Sequence, residues 1–216
     1  SGYFETVTLS EDDLKRNDMY RANAQRAKAQ SRFADYHDYL LSLEMTAEIG
    51  DFSPLYLQRI TQLTNKSNQF NLTTKRYTAE QMEAVYNSDE YIRLYGKLYD
   101  KFGDNGVVAV TIGKTDSEDK GRLDIELWLM SCRVLKRDME LAMLDSLVEQ
   151  AKKRGIREIY GHYYPTAKNK MVAGLYESFG FEKISQDEEG NTAWRLLVEG
   201  YEDKNTVIKV KEEHYA

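Results

Sequence analysis

The chain has 216 residues and a mass of 25.1 kDa, room for one α/β domain with an appendage. A net charge of −6 argues against a nucleic-acid surface, and no apolar run approaches the roughly 20 residues that a membrane span needs. Cys132 is the only cysteine, which excludes an intrachain disulfide and favours a reducing, cytoplasmic location.

The first 43 residues are predicted to form a helical extension. Ser10 is a favourable N-cap for a polar helix over 10–32, which has few large apolar residues and suits a solvated connector. Asp35 is expected to cap a second, short helix that ends at Leu43. The chain is therefore predicted to have three parts: a helical linker over 1–43, the main domain over 44–200 and a polar tail over 201–216.

The rest of the chain alternates strand and helix patterns. A strand pattern at 44–49 precedes two helices, one beginning at Pro54 and one over 79–86. Three antiparallel strands are predicted next, with Gly103-Asp104-Asn105-Gly106 as the first turn. In chain order, the predicted elements from residue 91 onward are strands 91–99, 106–113 and 122–131, helix 137–154, strand 156–160, helix 167–179, strands 181–184 and 192–197, and a possible strand 207–210. This order predicts an α/β (α+β) fold with a central mixed sheet of about seven strands flanked by helices.

Residues 169–181 carry a motif near the end of the main domain. They read N-K-M-V-A-G-L-Y-E-S-F-G-F, which resembles the last helix of the GNAT acyltransferases, and the element order resembles theirs too. The resemblance implies the acyl-CoA N-acyltransferase fold. It also implies that Asn169 contacts pantetheine or coenzyme A and that Tyr176 protonates the leaving thiolate, a task suited to a phenol of pKa about 10. Because the chain has sixteen tyrosines, Tyr176 could equally belong to the edge of the core.

The turn before the helix over 137–154 would hold phosphates in such a fold. GNAT enzymes have Arg/Gln-x-x-Gly-x-Gly/Ala there, because glycines let backbone N–H groups close on a pyrophosphate. Arg133 takes the first position of this pattern, but Lys136 and Asp138 replace the glycines. Asp138 is expected to cap the helix and to repel a pyrophosphate. The resemblance assigns cofactor binding to the backbone amide of Met130 and to Arg133, Lys136, Arg137 and Asn169.

Three further motifs resemble the FkbH-like family, whose members join a HAD-type phosphatase-like domain (subfamily IIIC) to a C-terminal GNAT-like domain. They are L-T-N-K-S-N-Q-F-N-L-T-T-K-R-Y at 63–77, M-S-C-R-V-L at 130–135 and Y-P-T-A-K-N at 164–169. The resemblance implies a preceding HAD-like domain and an acyl carrier protein as partner, in polyketide or surface-polysaccharide biosynthesis. The sequence lacks the D-x-D-x-[TV] loop of a HAD domain, so we expect it to be part of a longer protein.

A polar cluster follows the helix that begins at Pro54. Asn68, Asn71 and Thr73 are candidates for substrate binding, since amides and hydroxyls suit a hydroxylated or amide-bearing ligand. The alternative is a helix end whose amides bond to the backbone. The GNAT resemblance makes Glu126 the candidate general base, unless it only faces solvent. The three histidines show no metal-ligand spacing, so no metal is expected, and His162 alone lies near the expected cleft.

Two functions fit these patterns best. The first is an acyltransferase whose thioester, on acetyl-CoA or another acyl-CoA or on a carrier-protein phosphopantetheine, enters a gap between the fourth and fifth strands. The second is a non-catalytic docking module that holds the carrier protein or its arm for a HAD-type glyceryl-transfer domain. A weaker alternative is acylation of an amino sugar. The first two require an open gap beside Arg133 and Asn169.

Overall fold

An eight-stranded mixed sheet organises residues 10–212, the part of the chain that the computed structural model describes. The helices are α1 (Glu11–Gln30), α2 (Tyr36–Ser42), α3 (Pro54–Lys66), α4 (Ala79–Tyr86), α5 (Met139–Lys153) and α6 (Leu175–Ser178). The strands are β1 (Thr46–Gly50), β2 (Tyr91–Asp100), β3 (Gly103–Thr115), β4 (Arg122–Met130), β5 (Glu158–Tyr163), β6 (Glu182–Gln186), β7 (Thr192–Leu197) and β8 (Lys209–Glu212). Within 10–212, no helix is long and apolar enough to cross a membrane.

The strands lie in the order β6-β7-β5-β4-β3-β2-β1-β8. Neighbours are antiparallel except for two parallel pairs, β4–β5 and β1–β8. β2, β3 and β4 form the predicted antiparallel meander. β8 pairs with the outer edge of β1, with Lys209 opposite Thr46, so residues 209–212 of the predicted tail join the sheet.

Helices cover the two faces of the sheet separately. α3 and α4 bury one face through residues such as Ile60 and Met82, whereas α5 buries the other through Leu144. α4 begins with a capping box, in which Thr78 and Gln81 exchange side chain–backbone hydrogen bonds. The prediction of a mixed sheet with helices on both sides is confirmed.

A buried ion pair ties α1 to the sheet. Arg26 donates through Nε and Nη2 to the two carboxylate oxygens of Asp100 at 2.6 and 2.8 Å, and the Asp100 side chain is fully buried. Arg137 reaches the same carboxylate at 3.4 Å. The polar helix expected to be a solvated connector is thus anchored at its C-terminal half.

The turn between β2 and β3 differs from the predicted one. Lys101 and Phe102 form it, and Asp100 pairs with Gly103. The Asp100 carboxylate accepts the N–H groups of Phe102 at 2.9 Å and Gly103 at 3.1 Å, which stabilises this tighter turn. Gly106 instead lies inside β3, where its φ of +71° accompanies a shift in register.

The predicted helix over 167–179 is two short pieces, a 3₁₀ helix at Lys170–Val172 and the single turn α6. Gly174 lies between them, and glycine is a poor helix former. β5 extends to Tyr163, beyond its predicted end at residue 160, and so includes His162.

Candidate functional site

β4 and β5 separate after a short stretch of pairing. Their ladder covers three residues of each strand and ends at Asp124, opposite Tyr160. Within the described residues β4 then continues to Met130 without a β5 partner, so a wedge opens between the two strands. A bulge accompanies the separation, because the register between β3 and β4 skips Glu126. The fourth and fifth strands separate as predicted, but the gap between them is not open.

The chain's own backbone fills this wedge. Residues 70–73, here called the wedge segment, run antiparallel to β4. Leu72 donates its N–H to the carbonyl of Trp128 at 3.1 Å, and Met130 donates its N–H to the carbonyl of Phe70 at 3.0 Å. On the other side, the N–H of Tyr164 donates to the carbonyl of Leu72 at 2.9 Å. The amide of Met130, expected to hold the donor carbonyl, is therefore occupied, which corrects that prediction for this arrangement.

Asn169 anchors the wedge segment. Its fully buried side chain donates through Nδ2 to the carbonyls of Asn71 at 2.9 Å and Tyr164 at 3.0 Å. Its Oδ1 accepts the N–H of Thr166 at 2.7 Å. Thr73 adds a bond from its hydroxyl to the carbonyl of Glu126 at 2.7 Å. Asn169 is thus committed to this chain's backbone instead of to a pantetheine arm, contrary to its predicted role.

Tyr176 lies in the core beneath the wedge, which is the alternative that the sequence left open. It is 1% exposed, and its ring packs so closely on Gly161 that an added Cβ there would lie 2.4 Å from it. Trp128 contacts the same ring edge-on. Burial raises the pKa of the Tyr176 hydroxyl far above its usual range, with the backbone N–H of His162 opposing. In this arrangement Tyr176 cannot reach a leaving thiolate, which corrects the predicted placement.

The turn between β4 and α5 adopts a backbone that favours glycine, without containing one. Lys136 and Asp138 have left-handed φ angles of +62° and +66°. Such angles cost residues with side chains on the order of 1–3 kcal/mol. Asp138 occupies the N-cap position of α5 but makes no capping bond with its side chain, so the predicted cap is wrong.

The charges at this turn do not fit a coenzyme A diphosphate. Arg137 is buried and points inward, toward Asp100 and the carbonyl of Arg133 at 3.0 Å, so its predicted phosphate contact is wrong here. Asp138 and Glu140 lie at the start of α5, and burial raises the pKa of both carboxyl groups. Exposed Arg133 stays available, as does Lys136, but neither Lys136 nor Asp138 is the glycine that lets a phosphate approach the backbone closely.

Solved structures share this architecture. The ribosomal-protein-S18-alanine N-acetyltransferase of Escherichia coli matches with a TM-score of 0.53 at 14% identity, over 74% of this chain and 99% of that one. The protein yncA of Salmonella typhimurium, solved with its cofactor acetyl-CoA, matches with a TM-score of 0.53 at 14% identity, over 73% and 96%. A GNAT-family acetyltransferase of Streptococcus pneumoniae matches with a TM-score of 0.51 at 17% identity, over 70% and 99%.

The chain has the GNAT fold. This confirms the predicted fold class, and β8 adds a strand to the sheet of about seven that the pattern indicated. No protein-family model matches the sequence, and no curated protein is significantly similar to it. At these identities the shared architecture concerns the fold and leaves the substrate open.

The polar residues expected to bind substrate in the GNAT fold mostly support local structure. Asn71 is fully buried, and its side chain bonds to two nearby backbone groups at 3.1 and 2.9 Å. The Asn68 side chain accepts a hydrogen bond from Arg76 and stays half-buried. With the Thr73 bond described above, this corrects the substrate-binding prediction for Asn71 and Thr73 and matches the alternative of amides bonded to the backbone.

Glu126 lies at the mouth of the wedge. Its Oε2 accepts one hydrogen bond from Nζ of Lys75 at 3.1 Å and another from the hydroxyl of Tyr77 at 3.5 Å. Burial raises the pKa of Tyr77, and the Glu126 charge adds to the effect. Glu126 is thus partly exposed and ion-paired, and its role as general base stays a prediction.

The GNAT sheet brings together one pair that the sequence does not reveal. Nε2 of His162 lies 2.8 Å from Oδ1 of Asp124, and the two side chains are 23% and 25% exposed. Arg122 donates two bonds of 2.9 Å to the same carboxylate. Burial opposes ionisation of Asp124, but the bonds from His162 and Arg122 outweigh it and lower its pKa. The only signal for this pair is the parallel register, which sets Tyr160 opposite Asp124 and His162 two residues further along the same face.

Arg59 of α3 adds positive charge near Arg133. Burial lowers the pKa of Arg59, and the charge of Arg133 lowers it further. Arg59 forms no ion pair with any residue in 10–212. Two guanidinium groups are therefore available to an anionic ligand beside the β4–α5 turn.

Proposed function

We propose that this chain is the GNAT-like acyltransferase domain of an FkbH-like protein and that it takes its acyl group from the phosphopantetheine arm of an acyl carrier protein. The observation that carries the proposal is the wedge, in which the β4 edge bonds an extended segment through the carbonyl of Trp128 and the N–H of Met130. A pantetheine arm is extended and contains amides, so it can bond to a strand edge as an added strand does.

The proposal favours a carrier-bound arm over coenzyme A. The start of α5 carries Asp138 and Glu140, which disfavour a diphosphate. A carrier-bound arm has a single phosphodiester, which needs less positive charge around it than the diphosphate of coenzyme A does. Arg59 and Arg133 can supply it, since guanidinium groups bind phosphate oxygens in a bidentate manner.

The arm can enter only when the wedge segment leaves. Leaving breaks the backbone bonds of Phe70 and Leu72 and the side-chain bonds of Thr73 and Asn169. Each hydrogen bond contributes about 0.5–1.5 kcal/mol net, so the closed arrangement is favoured. The apparent affinity for a thioester then falls by the fraction of molecules in which the wedge is open.

A threonine-to-valine pair tests the proposal. Thr73→Val keeps the shape of the side chain but removes its bond to Glu126, so we expect about 2–10-fold tighter binding of S-acetyl-phosphopantetheine in calorimetric titration. Thr111→Val is the matched control, because its buried hydroxyl has no hydrogen-bond partner among residues 10–212. Unchanged affinity in Thr73→Val, or no binding to either variant, would contradict the proposal.

The second candidate is the docking module, and the occupied wedge is the observation that favours it. It predicts that holo-carrier protein binds the chain, while no variant releases thiol from acetylated carrier. Thiol release by wild-type protein or by Thr73→Val would support the acyltransferase and contradict the docking module. The sequence of the gene upstream tests the expected HAD-like domain independently.

A further inference from the structure

We propose that His162, oriented by Asp124, is the general base that accepts the proton of the acyl acceptor. The inference rests on the proposed acyl transfer and assigns a catalytic residue to it. Nε2 of His162 faces Oδ1 of Asp124 at 2.8 Å, so Nε2 carries the ring hydrogen when Asp124 is ionised. Nδ1 then keeps its lone pair, and it makes no hydrogen bond to residues 10–212.

The imidazole is held in place from two sides. Asp124 is itself fixed by two bonds from Arg122, whose guanidinium lies 3.8 Å from the centroid of the Tyr160 ring. The ring of Tyr164 stacks on the imidazole with centroids 6.3 Å apart and planes 29° apart. A carboxylate that orients an imidazole is the arrangement by which a histidine serves as a base in acyl transfer. The His162 side chain is 23% exposed, so an acceptor can approach the imidazole.

Glu126 is less suited to this task than His162. Its carboxylate already holds the ammonium group of Lys75 at 3.1 Å and the hydroxyl of Tyr77. Accepting a proton there would give up the ion pair, whereas Nδ1 of His162 gives up no bond. The titratable groups that contact the imidazole are Asp124 of β4 and Tyr164 beyond β5, and Arg122 of β4 reaches it only through the Asp124 carboxylate.

The step balances without a further reactant. The acceptor nitrogen or oxygen forms a bond to the thioester carbonyl carbon as the carbon–sulfur bond breaks. The acceptor's proton passes to Nδ1 of His162, and the pantetheine sulfur leaves as a thiolate that takes a proton from water. The imidazolium then returns its proton to solvent.

The test measures thiol release from S-acetyl-phosphopantetheine, with water as the acceptor, in the wild-type and Thr73→Val backgrounds. His162→Gln keeps a side-chain N–H for Asp124 but lacks the imidazole lone pair. We expect its rate to fall about 100-fold or more, since general base catalysis contributes about 10²–10⁴-fold. The calorimetric Kd for the same thioester should change less than about twofold, because the ring orients no part of the bound arm. His37→Gln, on α2, is the matched control and should keep the full rate.

A second readout separates base catalysis from a structural role. Added imidazole should restore part of the rate in His162→Ala and should leave the rate of His37→Gln unchanged. A wild-type rate in His162→Gln, with the thioester still bound, would overturn the assignment of His162 and leave the proposed function standing. Absence of thioester binding in both backgrounds would overturn the proposed function and this inference together.

Discussion

The side-chain amide of Asn169 donates to the backbone carbonyl of Asn71 at 2.9 Å, and these residues are 98 positions apart in the sequence. This bond joins the segment after β5 to the segment that fills the wedge. The sequence motif alone suggested that the same amide would bind a pantetheine arm. The sign of the Asn169→Ala effect on binding therefore distinguishes the two roles.

Asn169→Ala should loosen the wedge segment. It leaves the buried carbonyl of Asn71 and the half-buried carbonyl of Tyr164 without their donor, so we expect a loss of about 2–4 kcal/mol in the free energy of unfolding by urea denaturation. Binding of S-acetyl-phosphopantetheine by the folded variant should become tighter, because closure is weakened. Weaker binding would show that Asn169 contacts the arm directly.

Gly161→Ala tests the close packing of Tyr176 against β5. An added Cβ would lie 2.4 Å from the Tyr176 ring, which must then shift within a filled core. We expect a loss of about 1–3 kcal/mol in unfolding free energy. Gly174→Ala is the control, since its φ is −97° and a Cβ there would meet nothing within 4 Å. Equal effects of the two changes would contradict the packing argument.

Asp100→Asn removes the charge that Arg26 and Arg137 share. Because all three groups are buried, leaving two guanidinium groups unpaired should cost about 3–5 kcal/mol in chemical denaturation. The exposed pair Glu149–Lys153, 3.6 Å apart, gives the comparison, and Glu149→Gln should change stability by less than about 0.5 kcal/mol. If Asp100→Asn unfolds like wild type, α1 is not anchored through this carboxylate.

Glu140→Gln should stabilise the protein at pH 7. Burial raises the pKa of Glu140 above its usual 4.5, with its own backbone N–H opposing and Asp138 adding, and its Oε2 has no hydrogen-bond partner among residues 10–212. The folded state thus binds this proton more tightly than the unfolded state, so ionisation destabilises the fold as pH rises above about 4.5. The gain in unfolding free energy should vanish at pH 3, where both states are protonated. The control Glu83→Gln, on the exposed face of α4, should show no such pH dependence.

Local sequence patterns predicted the bounds of those elements whose signals lie within the element itself. α4 has the predicted bounds 79–86, and β7 has the predicted bounds 192–197. The β2–β3 turn was not predictable, because the Asp100 carboxylate that stabilises it also takes part in a distant ion pair with Arg26. The residue types of a hairpin sequence do not reveal such a competing bond.

The candidate site was predictable only in outline. The resemblance to GNAT enzymes implied a gap between the fourth and fifth strands, and the two strands do separate there. Its contents were not predictable, because Asn71 and Thr73 look like ligand-binding residues when their long-range partners are unknown. The pair of Asp124 and His162 depends on a parallel register between strands separated by a whole helix, which side-chain patterns do not encode.

β8 has a consequence for how the molecule meets its neighbours. Because β8 covers β1, the border strands of the sheet formed by residues 10–212 are β6 and β8. Every residue of β6 is exposed, and β6 carries Glu182 and Lys183, while the short β8 carries Lys209 and Lys211. Charged borders resist the addition of a foreign strand. Copies of this domain should therefore stay separate at high concentration instead of joining border to border into fibres.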